Sequence, residues 1–192
     1  MEKMVLKSHS YKKFSLKFSN VFDEKNELPE KVFNESFHRF YVYDMDYFYN
    51  DTGWGWLLDI SSENNEKILY FTSQVKENDD FQVVYIPNVL TPETILKQID
   101  VLEYKTQDKK NTFFLTFNEA CLFSTTYNWG LYFVNEFNFV ILGVKDNFKV
   151  PSSFVNIKSM SLKEFHDHFQ EWSAWKAKDD KRYLNEFDNV YF

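Results

Sequence analysis

The order in which strand-like and helix-like patterns follow one another constrains the fold of this chain most. Stretches rich in aromatic and β-branched residues come first, a helical spacing follows Thr91-Pro92-Glu93, further strand-like stretches come next, and a second helical spacing follows Ser161-Leu162-Lys163-Glu164. An N-cap threonine before proline, and a capping box of Ser161 and Glu164, predict helices over Pro92 to about Tyr104 and over 162 to about 178. We therefore expect an α+β fold with a mainly antiparallel sheet and two main helices packed on one face.

Other stretches fit strands or remain open. Residues 4–18 alternate well enough for one or two strands, and residues 20–36 fit a loop or a short helix. The predicted strands are Phe14–Phe18, Phe37–Tyr43, Gly53–Ile60, Lys67–Thr72, Phe81–Ile86, Trp129–Val134 and Phe137–Val144, with a turn at Glu77-Asn78-Asp79-Asp80 before Phe81. Phe113–Phe123 fits either type, and Lys181–Phe192 fits a short helix or a closing strand. The 192 residues are expected to form one domain, 1–192.

Cysteine content and hydropathy indicate a cytoplasmic protein. The single cysteine, Cys121, excludes an internal disulfide and a four-cysteine zinc site. The first residues lack the apolar stretch of a signal peptide. The longest strongly apolar run lies near Phe139–Val144, well short of the ~18 residues that a membrane span needs. We expect no membrane association.

No motif predicts catalysis, a metal or a cofactor. In the cluster His166-Asp167-His168, the two imidazoles are two residues apart on a predicted helix and point about 200° away from each other. Four glycines supply no phosphate-binding loop, and no Gly-x-Ser-x-Gly elbow is present. Cys121 lies in an apolar stretch, which favours a packed, inert thiol. We expect a protein that is not an enzyme.

The net charge of −7 is unevenly distributed. Residues 21–80 carry 14 acidic and 5 basic residues, whereas residues 1–20 carry five lysines and one glutamate. The lysines fit a nucleic-acid contact or a charged edge strand. Because the chain as a whole is acidic, we expect no nucleic-acid partner and a preference for basic proteins.

The acidic segment contains the residues that we predict to contact a partner. Asp44 and Asp46 would share one side of a strand or turn, Asp51 follows closely, and Trp54 and Trp56 would form one aromatic patch on a strand. Aromatic anchors surrounded by acids suit a basic partner. Solvated loop acids and core tryptophans are the alternative interpretation of these five residues.

The size, the acidity and one strand pair, Trp129-Gly130-Leu131-Tyr132 and Val140-Ile141-Leu142-Gly143 around Glu136, resemble the immunity proteins of bacterial toxin systems. The resemblance implies that the protein neutralises a cognate toxin domain, such as a basic nuclease, by occluding it. One alternative is a ligand-binding domain or hydrolase with an aromatic-lined pocket that uses Asp44, Asp46 or Glu119. Another is a structural protein of a phage or larger assembly.

Overall fold

A computed structural model of the chain describes residues 3–73, 80–106, 118–148, 157–173 and 180–192. The strands are β1 (Val5–His9), β2 (Arg39–Asp44), β3 (Ile68–Ser73), β4 (Phe81–Pro87), β5 (Asn118–Ser124), β6 (Trp129–Val134) and β7 (Phe139–Val144). The helices are α1 (Tyr11–Phe18), α2 (Asp51–Glu63), α3 (Pro92–Thr106), α4 (Leu162–Ser173) and α5 (Asp180–Tyr191). A 3-10 turn, Met45–Tyr49, joins β2 to α2.

The seven strands form one sheet in the order β1-β4-β3-β5-β6-β7-β2, and every neighbouring pair is antiparallel. The α+β class predicted from the sequence is therefore confirmed. The edge strand β1 contains Lys7, whereas Lys12, Lys13 and Lys17 lie on helix α1, so the interpretation of the N-terminal lysines as a charged edge fits only one of these four residues. Phe113–Phe123, which the sequence left open, ends in strand β5, and its residues before Asn118 lie outside the described part.

The helices cover both faces of the sheet, so the prediction that they pack on one face is wrong. On one face, Trp54 of α2 and Ile95 of α3 pack with Leu69 and Phe71 of β3. On the other face, the intervening Tyr70 belongs to a second cluster with α1, α4 and α5. Every residue of β6 and β7 is buried, and a strand that is buried on both sides needs a layer of structure over each side.

The prediction of a strand at Phe14–Phe18 is also wrong, because this stretch lies in α1. Phe14 and Phe18 are four residues apart, share one helix face and are each 1% exposed. Leu16 lies between them on the other side and is 74% exposed. The alternation of three apolar residues resembled a strand, yet only the pair at helical spacing enters the core.

The prediction of a strand at Gly53–Ile60 is wrong as well, because these residues are part of helix α2. Asn50 precedes the helix, and its side chain accepts a hydrogen bond from the backbone N–H of Thr52, at 2.9 Å. Such an N-cap satisfies one of the free N–H groups of the first turn. The helix buries Trp54 and Leu57 at a helical spacing of three residues.

The remaining expectations divide between confirmed elements and undescribed residues. Helices begin at Pro92 and Leu162, as the two capping patterns predict, and the tail forms helix α5. The turn residues 77–79 and the end of the second predicted helix, with Trp175, lie outside the described residues. Among the helices that are described, none is long and apolar enough to cross a bilayer.

Candidate functional site

The predicted aspartates lie along one continuous connection between the sheet and α2. Asp44 ends β2, and its carboxylate accepts a hydrogen bond from the backbone N–H of Asp46, at 2.9 Å. This bond caps the 3-10 turn that carries Asp46. Asp51 then begins α2, where a negative charge is favourable because of the helix dipole.

Asn138 holds Asp44 and Asp46 together. Its side-chain amide donates to Asp44 Oδ1 at 3.3 Å and to Asp46 Oδ1 at 3.1 Å. The residue adopts a left-handed conformation, with φ of 51°, which asparagine tolerates better than most residues. Its carbonyl also accepts from the backbone N–H of Met45 at 3.1 Å. Asp44 and Asp46, two of the predicted site residues, are thus both bound by Asn138, which lies about 90 positions further along the chain.

The exposed face of α2 extends the acidic surface. Asp51, Asp59 and Glu63 are all exposed, and their positions fall within an arc of about 120° at 100° per residue. Between them lie small side chains such as Thr52 and Ser62. We call Asp46, Asp51, Asp59 and Glu63 the acidic stripe.

The sequence prediction missed Asp59 and Glu63. Their spacing of four residues places two carboxylates side by side only if this segment is a helix. The N-cap Asn50 was the signal that could have revealed the helix.

The acidic stripe has no cationic neighbour in the part of the chain that the structure describes. Within the described residues, no lysine, arginine or histidine nitrogen lies within 4.0 Å of any of its four carboxylates. Unpaired carboxylates on one helix face repel one another and produce a local negative potential. This potential extends over roughly 8 Å at physiological salt. The surface is therefore suited to a positively charged partner.

Trp54 and Trp56 lie beneath this surface, not on it. They are 0% and 2% exposed, and the Trp54 indole N–H donates to the carbonyl of Phe48 at 3.0 Å. Trp56 packs edge-on against Tyr43, with ring centroids 5.2 Å apart. The two indoles belong to the core that holds α2 against the sheet, as the alternative interpretation of the sequence had it.

A polar cleft of about 290 Å³ adjoins the start of the acidic stripe, between the 3-10 turn and α4. Its lining includes Asp44, Tyr47, Lys158, Glu164 and His168. Lys158 pairs with Glu164 at 2.7 Å. The hydrogen bond from Lys158, and then those from the backbone and side chain of Ser161, lower the pKa of Glu164 to about 2. Glu164 therefore stays ionised at neutral pH, which suits a charge contact better than proton transfer.

The two histidines of α4 have different partners. His168 donates from Nε2 to the carbonyls of Phe137 and Asn138, at 3.1 Å and 3.0 Å. His166 instead contacts the carboxylate of Asp188 on α5, with Nε2 2.9 Å from Oδ2. Each imidazole thus fastens α4 to a different neighbour.

The other residues considered for chemistry offer no site in the described structure. Cys121 is fully buried in β5, as its apolar surroundings predicted. The side chain of Glu119 lies outside the described part. Among the described residues, no three His, Cys, Asp or Glu side chains are grouped as metal ligands.

Comparison of the chain with protein families, with curated proteins and with solved structures finds no match.

Proposed function

We propose that the protein is a non-enzymatic binding protein that neutralises a basic protein domain by occluding it, in the manner of an immunity protein and its toxin. The observation that carries the proposal is the acidic stripe, whose four exposed carboxylates have no cationic neighbour within 4.0 Å among the described residues. A basic nuclease domain is the partner type that fits best, because its substrate-binding surface must be cationic to bind phosphates. We further propose that the protein acts in the cytoplasm, where its buried thiol stays reduced.

The mechanism that we propose is electrostatic attraction followed by steric blocking. The stripe attracts a cationic surface over long range and raises the association rate. Small residues between the acids, such as Thr52 and Ser62, let a partner surface approach the helix closely. Tyr49 is 51% exposed beside the stripe, and its hydroxyl donates to Asn135 Oδ1 at 3.2 Å. This tyrosine supplies the aromatic anchor that the buried tryptophans cannot.

A second candidate function, binding of a small ligand, rests on the polar cleft beside Asp44. A ligand with a basic group could contact Asp44 and Glu164 there. The cleft is open to solvent, whereas most small-molecule sites are concave and bury most of the ligand's surface. We therefore rank this function second.

The experiment is a comparison of two variants with the same change in net charge. Tagged wild-type protein is used to recover partners from the native cell at low and at high salt. The stripe variant carries Asp51→Asn and Asp59→Asn, and the control carries Glu27→Gln and Glu30→Gln, two exposed acids outside the stripe. We expect a stoichiometric basic partner that is released by salt and that binds the stripe variant at least about 10-fold more weakly, which is a loss of ~1.4 kcal/mol.

Neutralisation is then tested directly with the recovered partner. Its expression alone should inhibit growth, and co-expression of wild-type or control protein should restore growth better than the stripe variant does. The proposal fails if no protein is recovered at either salt concentration, or if the control variant loses as much binding as the stripe variant. Screening of ligands against the cleft would then be the next step.

A further inference from the structure

A second charged surface, of opposite sign, lies on the other side of the sheet from the acidic stripe. It combines the edge strand β1, helix α1, strands β3 and β4, and the turn after β5. We call it the lysine–tyrosine patch; its members are Lys7, His9, Lys17, Tyr70, Tyr85 and Tyr127. The three tyrosines pack against the second core cluster, which places them on the face opposite α2.

Two tyrosines at the centre of the patch are direct neighbours across the sheet. Tyr70 of β3 pairs with Tyr85 of β4, and their ring centroids are 5.2 Å apart in an edge-to-face arrangement. The ammonium group of Lys7 lies 4.8 Å from the centre of the Tyr85 ring. That of Lys17 lies 5.1 Å from the Tyr70 ring centre and donates to the Tyr70 hydroxyl at 3.4 Å. Each ring of the tyrosine pair therefore has one ammonium group against it.

His9 connects the patch to a third lysine. Its Nε2 lies 2.8 Å from the Tyr85 hydroxyl, and its ring stacks on Phe14. Burial, and then the charges of Lys17, Lys7 and Lys13, lower the pKa of His9. The ammonium groups of Lys7, Lys13 and Lys17 therefore all lie close enough to His9 to disfavour its protonated form. This cationic surface is present although the protein carries a net charge of −7.

The hydroxyl groups of the patch keep their protons. Burial raises the pKa of Tyr85 and of Tyr127, so both phenols stay protonated at any physiological pH. Within the described residues, no carboxylate lies within 4.0 Å of Lys7, Lys13 or Lys17. By contrast, Lys31 and Lys158 each have an acidic partner.

We propose that the lysine–tyrosine patch binds a phosphate group. Two ammonium groups, one against each ring of the tyrosine pair, supply the charge that a dianion needs, and the O–H groups of Tyr70 and Tyr127, which do not bond to His9, supply further donors. A phosphate group has three or four oxygens to accept these bonds, whereas a carboxylate has only two. The group could be inorganic phosphate or part of a phosphomonoester. This site is independent of the proposed neutralising function, because it lies on the opposite face of the sheet.

The experiment measures binding by nuclear magnetic resonance of the histidine and tyrosine side chains. Wild-type protein is titrated with inorganic phosphate, with adenosine monophosphate and with adenosine, all at constant ionic strength. We expect saturable shifts of the His9 and Tyr85 signals with one or both phosphate compounds and none with adenosine. Tighter binding of the nucleotide would identify a phosphomonoester as the ligand type, and equal or weaker binding would identify free phosphate.

Two variants test the site, and one serves as a control. Lys17→Gln removes a charge, and Tyr127→Phe removes a hydroxyl while keeping the ring; each should weaken phosphate binding at least about 10-fold, as expected for a hydrogen bond to a charged group. Lys97→Gln removes an exposed lysine of α3 and should leave binding unchanged. The proposal is refuted if phosphate causes no saturable shift in wild-type protein, or if the control loses as much affinity as the two patch variants.

Discussion

Replacing Glu66 with glutamine should change how the stability of the protein depends on pH. Glu66 follows α2, is 1% exposed, and accepts hydrogen bonds from Thr126 Oγ1 at 2.6 Å and from the Trp129 indole at 3.0 Å. Burial raises the pKa of this carboxyl above its ordinary 4.5, although hydrogen bonds from Thr126, Ser124 and Trp129 act in the opposite direction. The folded protein therefore holds this proton more tightly than the unfolded chain does.

The sign and size of the effect follow from this difference. Below pH 4.5 the carboxyl is protonated in both states, and its stabilising contribution is fully present. As the pH rises toward the folded-state pKa, the unfolded chain releases the proton first, and the free energy of unfolding falls by up to ~1.4 kcal/mol per pH unit. Glutamine has no proton to release. The stability of Glu66→Gln relative to wild type should therefore rise with pH across this window and then level off.

The assay is urea denaturation followed by tryptophan fluorescence, from about pH 4 to about pH 8. Glu27→Gln is the matched control, since Glu27 is an exposed acid outside the acidic stripe, and the curve of this variant should run parallel to that of wild type. Glu66→Ala should instead lose roughly 1–3 kcal/mol, because the buried Trp129 N–H loses its acceptor. Parallel curves for wild type and Glu66→Gln throughout this range would refute the reasoning.

Three further predictions concern packing. Gly143→Ala should destabilise the protein by about 1–3 kcal/mol in urea denaturation, because the new methyl would lie 2.5 Å from the Phe33 ring; an unchanged midpoint would contradict this. Gly55→Ala should stabilise α2 by about 0.5–1 kcal/mol, since the nearest atom would be 3.8 Å away, and a lower midpoint would show that the helix face is more crowded than described. Cys121 should react with a thiol reagent only as fast as the protein opens, and rapid labelling of the native protein would show that β5 is accessible.

The sequence predicted the elements whose signals are local. The strands β3, β4, β6 and β7 have aromatic and β-branched residues bounded by turn residues, and each was placed within two residues of its observed ends. The capping patterns at Thr91 and Ser161 likewise gave the starts of α3 and α4. These features depend only on neighbouring residues, so the pattern alone is sufficient.

The sequence failed where local preference and tertiary packing disagree. Helix α2 contains Gly53 and Gly55, and glycine disfavours a helix by about 1 kcal/mol each relative to alanine. Burial of Trp54 and Leu57 against the sheet outweighs that cost, and such burial is not visible in the segment itself. The placement of helices on both faces was missed for the same reason.

The candidate site was predicted only in part. Asp44, Asp46 and Asp51 were predicted because they cluster along the chain. That Asp51 shares a surface with Asp59 could be predicted only if residues 51–63 were recognised as a helix. The contact with Asn138 joins residues about 90 positions apart and depends on the pairing of β2 with β7. No spacing rule within a segment can reveal such a contact.

The strand order determines when the sheet can form during synthesis of the chain. Among the described strands, the edge strand β2 pairs with β7 alone, and β7 comes last in the chain, so Arg39–Asp44 cannot pair until about 100 further residues have been synthesised. Such long-range pairing slows folding, because the intervening loop must be closed before the contacts form. Until Phe139–Val144 has left the ribosome, β6 lacks one neighbour, and the apolar side chains that it buries in the native sheet are only partly covered. Synthesis of β7 is therefore the step after which both β6 and β2 can find their strand partners and the sheet can be completed.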